Sequence, residues 1–333
     1  MGFGRASGIG SWPGTDVVDA ARTVMGELPE PAVPYLSELP ARGPGSDLVG
    51  RTAAFLVEVP VDLQPSGWRL VDRPGRDLER ARSMLRQDLD VLAEVADGYR
   101  GPLKVQVAGP WTLAATVHLQ RLERAVADPG ACRDLVASLA EGLALHVAEV
   151  RRLVPGAEVV VQLDEPSIGA VLQGGVATAS GFGRLRAIEE PVVVQGLRSV
   201  LEAATSAGAV HTLVHCCARD VPVASLLRGG ADGLSVDVSL LGVRAWEALA
   251  PALEDGTWLW AGAVPTSGGV PSAAAVADAV WTPWRRLGLA AQLLERVAVT
   301  PACGLASSTP RGARAVLACA VAGARELATR AQG

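Results

Sequence analysis

Short runs of apolar and β-branched residues alternate with longer amphipathic stretches along almost the whole chain. Eight runs have the length and composition of strands, at residues 6–12, 32–39, 103–108, 158–163, 211–217, 233–239, 258–264 and 297–303. Helical periodicity occupies residues 15–28, 76–96, 132–153, 221–228, 243–253, 272–287 and 310–328. Strands that alternate with helices in this way predict a parallel β/α fold.

The strand pattern favours a closed barrel over an open sheet. Residues 159–163 and 258–264 are apolar on both faces, as strands covered on each side require. The glycine fingerprint of a doubly wound, dinucleotide-binding sheet does not follow the first strand. We therefore predict an α/β protein with a single (β/α)₈ TIM barrel over residues 1–333. A hairpin or loop insertion is expected at residues 60–72, and a loop at residues 174–183.

Composition removes several classes of function. The 333 residues carry a net charge of −5, which argues against a nucleic-acid partner. No apolar run reaches the ~18–20 residues of a membrane span, and the first residues do not resemble a signal peptide. Five cysteines, two of them adjacent, argue against a disulfide framework. We expect a reduced, cytoplasmic protein.

Metal-binding residue types end several of the predicted strands, where barrel enzymes carry their chemistry. His215 and Cys217 lie two residues apart on one strand and so point the same way, towards the barrel mouth. Cys216 faces the surrounding layer and is the less favoured ligand. Asp237 and Cys303 end two further strands. One nitrogen, two sulfurs and one oxygen suit Zn²⁺ in tetrahedral geometry, so we predict zinc on His215, Cys217, Asp237 and Cys303.

Several motifs resemble the catalytic barrel of the cobalamin-independent methionine synthases. The family's I-G-S-F-P, G-P-V-T-I and Q-I-D-E-P motifs are similar to IGSWP at residues 9–13, GPWTL at 109–113 and QLDEP at 162–166. Its H-x-C, I-S-I-E and N-P-D-C-G-L motifs are similar to HCC at residues 215–217, LSVD at 234–237 and TPACGL at 300–305. The matches keep the family's order over nearly the whole chain. A more distant resemblance links the sequence to the uroporphyrinogen decarboxylases.

The resemblance implies a zinc-dependent methyltransferase whose acceptor is a thiol, homocysteine, and whose product is methionine. It places His215, Cys217 and Cys303 as zinc ligands, with Asp237 in place of a glutamate, where the shorter side chain would bind the ion directly or through a water molecule. It also implies that the amino-acid part of homocysteine is held by Ile9, Ser11 and Asp164. The chemistry is consistent, because a thiol with a pKa of ~8.5 is mostly protonated at neutral pH and coordination to zinc removes its proton.

Other positions depart from the family pattern and leave alternatives open. Folate-site residues of the family are replaced at Thr116, Ala170 and residues 264–267, so the methyl donor is methyltetrahydrofolate or a methyl-corrinoid, the latter on a carrier protein as partner. In place of the glutamate of the family's H-G-E-P motif, this chain offers Glu38 or Asp47.

Four further candidate site residues each have two alternative roles. Trp12 and Trp111 are stacking surfaces for a substrate or core packing. Glu165 is a general acid or a structural carboxylate. Arg42 suits a ligand carboxylate. Together with Arg51 it would support a rival function, a decarboxylase-like barrel acting on a polycarboxylate or tetrapyrrole. A second rival is a non-catalytic zinc-binding scaffold.

Overall fold

The computed structural model describes residues 4–332. Its strands, in chain order, are β1 (Arg5–Ala6), β2 (Val61–Gln64), β3 (Gly67–Leu70), β4 (Gly101–Ala108), β5 (Ala157–Asp164), β6 (His211–Cys216), β7 (Gly233–Asp237), β8 (Trp258–Val264) and β9 (Val297–Pro301). Across the described residues, seven of them form one parallel sheet in the order β1-β9-β8-β7-β6-β5-β4. Strands β2 and β3 form an antiparallel hairpin, which confirms the insertion predicted at residues 60–72.

Residues 33–38 close the sheet into a barrel between its two edge strands. On one side, the Val33 N–H donates to the Ala6 carbonyl at 2.7 Å. On the other side, the Lys104 N–H donates to the Pro34 carbonyl at 2.9 Å. The bridges that this segment makes to both neighbours are parallel. The predicted (β/α)₈ architecture is therefore confirmed, with residues 33–38 in the position of the second strand.

This closing segment does not form a regular strand. Pro31, Pro34 and Pro40 lie in or beside it, and proline has no N–H to donate to a ladder. The predicted strand at residues 32–39 is consequently reduced to isolated bridges, and the one at 6–12 is regular only over Arg5–Ala6. The other six predicted strands agree with the structure to within two residues at each end.

The helices surround the sheet. They are α1 (Val17–Glu27), α2 (Leu48–Ala53), α3 (Arg76–Val95), α4 (Pro110–Thr116), α5 (Pro129–Leu153), α6 (Ile168–Gln173), α7 (Glu190–Ser206), α8 (Val223–Arg228), α9 (Val243–Glu254), α10 (Ala273–Arg286) and α11 (Pro310–Gln332). Side-chain oxygens of Asp16, Asp47 and Asp128 cap the first turns of three of them. Within the described residues, none of these helices has both the length and the apolar composition needed to cross a bilayer.

The barrel interior changes from apolar to polar along the strands. Towards the start of the strands lies a small apolar cluster, formed by Val33, Val160, Leu213, Trp260 and Ala298. Two residues further along their strands, and therefore on the same inward face, come the buried polar side chains of Gln162, His215 and Thr300. The C-terminal end of the barrel is thus the end that holds polar chemistry.

Candidate metal centre

Three of the predicted zinc ligands meet at the C-terminal end of the barrel. His215 lies on β6, Cys217 directly follows β6, and Cys303 follows β9. One ligand atom from each residue lies within 4.8 Å of the other two. The two Sγ atoms are 3.1 Å apart, which is too long for a disulfide bond, and both cysteines are free. The arrangement gathers one imidazole nitrogen and two sulfurs, a donor set that suits zinc.

The imidazole of His215 is oriented for a metal ion. Its Nδ1 lies 3.1 Å from the carbonyl oxygen and 3.1 Å from the hydroxyl of Ser235. An Nδ1–H that donates to the carbonyl leaves a lone pair on Nε2. That Nε2 is buried and has no hydrogen-bond partner among residues 4–332. A buried nitrogen without a partner is costly unless a cation or a donor completes it, so the site fits a metal ion.

The pKa values of the two thiols also favour a metal ion at this site. The hydrogen bond from the Cys217 thiol, and then the nearby imidazole of His215, lower the pKa of Cys303 well below its usual range. The same contact with Cys303, together with burial, raises the pKa of Cys217. A lowered pKa favours the thiolate form of Cys303, which is the form that binds a metal ion.

Asp237, the fourth predicted ligand, does not belong to this group of three residues. Its Oδ1 accepts hydrogen bonds from the Ser239 N–H at 2.9 Å and from the Ser239 hydroxyl at 2.6 Å. Aspartate is one methylene shorter than the glutamate it replaces, and here it caps the short helix that follows β7. Cys216 is buried in the outer hydrophobic core, as expected from strand alternation. Three gathered ligands leave one position of a tetrahedral site open.

Asp164 lies beside the group, because it is paired with His215 across β5 and β6. Its side chain is buried, and Oδ1 accepts a hydrogen bond from Gln162 Nε2 at 2.7 Å. Burial raises the pKa of Asp164, and the nearby His215 and Lys104 oppose that rise. The structure thus places this carboxylate next to the three predicted ligands.

Ser11 and Ile9 lie on the segment that follows β1. A Cβ added to Gly304 would lie 2.1 Å from Ser11 Oγ, so the serine hydroxyl lies against the loop that follows Cys303. The Ile9 carbonyl points inward and accepts two hydrogen bonds, from Lys104 Nζ at 2.6 Å and from Gln162 Nε2 at 2.9 Å. Both predicted substrate-binding residues thus border the same space as Asp164.

The structure separates the two candidates for the family's missing glutamate. The Asp47 carboxylate accepts the Val49 and Gly50 N–H groups at the start of α2, which is a capping role. The Glu38 carboxylate is buried inside the barrel and accepts a hydrogen bond from Gln106 Nε2 at 3.1 Å. Burial is the main reason why its pKa rises to about 7. Glu38 therefore joins Asp164 in the polar interior.

Lys104 and Gln106 were not among the predicted site residues. They lie two residues apart on β4 and are both buried, with Lys104 fully inaccessible. The sequence contained a pattern that indicates them, because two long polar side chains at alternate positions of an otherwise apolar strand share one face. Sequence alone did not show that this face is the inside of the barrel.

The remaining predicted site residues are engaged elsewhere. Glu165 Oε1 accepts the Trp111 N–H at 2.9 Å, and its Oε2 accepts the Thr112 N–H and hydroxyl, each at 2.7 Å. This carboxylate holds the first turn of α4, which is the structural reading. The Trp111 indole donates to the Val193 carbonyl at 2.9 Å, and Trp12 is part of the hydrophobic core. Both tryptophans pack rather than present a stacking surface.

Arg42 does not face the polar interior with a free guanidinium. It forms an ion pair with Asp88 of α3 and donates to Gln87 Oε1 at 2.8 Å. The buried Arg51 pairs with the same carboxylate. The expectation that Arg42 meets a substrate carboxylate is therefore not supported by its contacts, which join residues 40–53 to α3.

A closed parallel β/α barrel with reactive side chains at the C-terminal ends of its strands defines the class of (β/α)₈-barrel enzymes. Within that class, the family model for the catalytic domain of the cobalamin-independent synthases matches residues 5–326. The chain belongs to this family, as the sequence motifs predicted.

A solved structure agrees with the fold. The B12-independent methionine synthase from Shewanella sp. W3-18-1, in complex with selenomethionine, is similar with a TM-score of 0.64 over 98% of each chain. The identity is 13%, so this likeness supports the fold and nothing finer. No curated protein sequence matches this chain significantly.

Proposed function

We propose that this protein is a zinc-dependent methyltransferase that methylates the thiol of homocysteine to give methionine. The observation that carries the proposal is the group His215, Cys217 and Cys303, with an unpartnered imidazole nitrogen and one coordination position left open. A zinc ion held there would lower the pKa of a thiol and so supply a thiolate nucleophile at neutral pH. Membership of the synthase family supports the same reaction.

The chain's own residues would bind and orient the acceptor. Asp164 and Glu38 provide buried carboxyl groups that would accept hydrogen bonds from an α-ammonium group. Ser11 provides a hydroxyl for the α-carboxylate. Gln106 and Gln162 hold the two carboxylates by hydrogen bonds, so that little reorganisation accompanies binding. In the reaction, the acceptor sulfur loses its proton and forms a bond to the methyl carbon, while the donor keeps the electron pair of the broken bond.

The methyl donor in this proposal is methyltetrahydrofolate or a methyl-corrinoid. The substitutions at Thr116 and Ala170 remove two folate contacts of the family, and this favours testing the corrinoid in parallel. The two donors are therefore separated by assay.

The structure weakens both rival functions. A decarboxylase-like site would use Arg42 and Arg51, but both guanidinium groups are paired with Asp88. A non-catalytic scaffold requires a fourth protein ligand, whereas Asp237 lies outside the group of three.

Metal analysis with a thiol titration tests the proposal. We expect one zinc per chain, and a zinc-edge absorption spectrum that gains a sulfur ligand when homocysteine is added. Methionine formation should follow with one of the two donors. Cys303→Ser should lose zinc and activity together, while Cys319→Ser, which changes a cysteine outside the group, should keep both. Activity that survives the complete loss of zinc would refute the proposal.

A further inference from the structure

Lys104 is the only lysine of the chain, and its side chain is completely buried inside the barrel. Its Nζ donates to the Ile9 carbonyl at 2.6 Å and to Gln106 Oε1 at 3.3 Å. It also lies 5.2 Å from the centre of the Tyr35 ring. A buried ammonium group is costly unless charged or polar groups compensate it, so its presence requires an explanation.

Two hydrogen-bonded arms lead from Lys104 to the two buried carboxylates. In the first arm, Gln106 accepts from Lys104 and donates through Nε2 to Glu38 Oε1 at 3.1 Å. In the second arm, the Ile9 carbonyl accepts from both Lys104 and Gln162. Gln162 then donates to Asp164 Oδ1 at 2.7 Å. One ammonium group thus fixes the orientation of both carboxylates without contacting either directly.

The charges of this network do not balance. When all three groups are ionised, Glu38 and Asp164 carry two negative charges and Lys104 carries one positive charge. Among these three groups, negative charge exceeds positive charge by one, and the further cation that acts on Glu38, Arg51, is already paired with Asp88. The network lies beside His215, because Asp164 is paired with it across β5 and β6. A ligand that brings an ammonium group on the same molecule as a thiol would offset the excess negative charge of these three groups.

We propose that Lys104 is a positioning residue that orients Glu38 and Asp164 through these two arms and makes the site select thiols that carry an ammonium group. The inference rests on the proposed function, because it assumes that the acceptor thiol binds beside this network. Lys104 itself does not touch the reacting sulfur. Its loss should therefore weaken binding of the amino-acid part of the acceptor and leave the methyl-transfer step largely intact.

Lys104→Met, which keeps the length of the side chain without its charge, tests this role. We expect the KM for homocysteine to rise at least about tenfold, with kcat changed less than about threefold and zinc content unchanged. Transfer to ethanethiol, which has no amino-acid group, should be unaffected. Arg22→Met removes an exposed positive charge from α1 and controls for net charge. An equal loss with both thiols would overturn the proposal.

A second measurement needs no substitution and remains decisive if the variant fails to fold. Because the chain has one lysine, side-chain labelling with ¹⁵N and ¹³C lysine gives a single ammonium signal in the NMR spectrum of the wild-type zinc protein. Homocysteine should shift this signal, whereas 4-mercaptobutanoate, which lacks only the ammonium group, should not. If homocysteine adds a sulfur ligand to the zinc-edge spectrum but does not shift the lysine signal, the proposed role of Lys104 is wrong and the proposed function is unaffected. Failure of any thiol to bind would overturn the proposed function with it.

The pKa of Lys104, measured from that signal, should change in a defined direction when homocysteine binds. Burial lowers the pKa of Lys104 to about 8, against the opposing influence of Asp164 and Glu38. The groups that face it are these two carboxylates and the Tyr35 ring. Bound ammonium would offset the carboxylate charge and lower the pKa of Lys104 further. A midpoint that rises on addition of homocysteine would contradict the proposed charge balance.

Discussion

Asp164 and Glu165 are neighbours in the sequence but have different roles, because adjacent residues of an extended chain point in opposite directions. Asp164 faces the interior beside His215. Glu165 accepts three hydrogen bonds from the first turn of α4 and is fully buried there. Burial raises its pKa to about 7 in spite of these donors. Residue type and spacing predicted carboxylates at this strand end, but only the tertiary contacts assign a role to each.

Glu38 makes the stability of the protein depend on pH. Burial is the main cause that raises its pKa to about 7, compared with about 4.3 for an exposed glutamate. The folded state therefore holds the proton more tightly than the unfolded state. This contribution to stability is fully present below about pH 4.3 and is lost as the pH rises through 7. Glu38→Gln cannot ionise and should remove this dependence.

Urea unfolding at pH 5 and pH 8 checks this prediction. The free energy of unfolding of the wild type should fall more between the two pH values than that of Glu38→Gln. Glu247→Gln, which removes an exposed carboxylate from α9, serves as the control for net charge. Identical pH dependence in the wild type and Glu38→Gln would contradict the prediction.

At the scale of elements, agreement between sequence and structure followed the length and regularity of each pattern. All seven predicted helices are present. Helix α7 is not among them, although its buried residues recur at helical spacing, at Val193, Leu197, Val200, Leu201 and Ala204. The periodic pattern of apolar residues in α7 was sufficient to predict this helix. Helices α4 and α6 have only seven and six residues, too few for a periodic pattern to be recognised.

Helix α5 contains a glycine whose reason appears only in the packed barrel. A Cβ at Gly142, in the middle of this helix, would lie 2.0 Å from the Phe55 carbonyl oxygen. That oxygen belongs to the backbone and cannot move aside easily. Gly142→Ala should therefore destabilise the protein by about 2 kcal/mol or more, although alanine alone favours a helix by about 1 kcal/mol over glycine.

The matched control is Gly26→Ala in α1, where a Cβ would meet nothing within 4 Å. This substitution should stabilise the protein by about 0.5–1 kcal/mol, since only the helix propensity changes. Denaturant titration of both variants separates the two effects. Equal shifts of the two midpoints would show that contact with Phe55 does not matter.

At the scale of the whole molecule, the candidate site exists only when the barrel is closed. Its walls come from the segment after β1, from residues 33–38 and from the ends of β5, β6 and β9. The sequence predicted His215, Cys217 and Cys303 correctly as neighbours, because strand ends of a barrel meet at one rim. It did not predict the network around Lys104, because that depends on which face of β4 and of residues 33–38 turns inward.

A metal site built from distant parts of the chain must be linked to folding. Cys217 and Cys303 are separated by 86 positions, so an ion held between them binds the closed barrel much more tightly than the unfolded chain. Free zinc at about one hundred times its dissociation constant should stabilise the folded protein by about 2.7 kcal/mol. Removal of zinc by a chelator should lower the Tm accordingly, and added zinc should restore it.

Thermal unfolding of the chelated and the zinc-loaded protein measures this linkage. Cys303→Ser should unfold at the same temperature with and without zinc, since it lacks one of the three gathered ligands. Cys319→Ser should respond as the wild type does, because its side chain bonds to the Pro271 carbonyl, outside the group. If neither the chelator nor zinc changes the Tm of the wild type, the three side chains meet without holding an ion. The open coordination position would then have no chemical meaning.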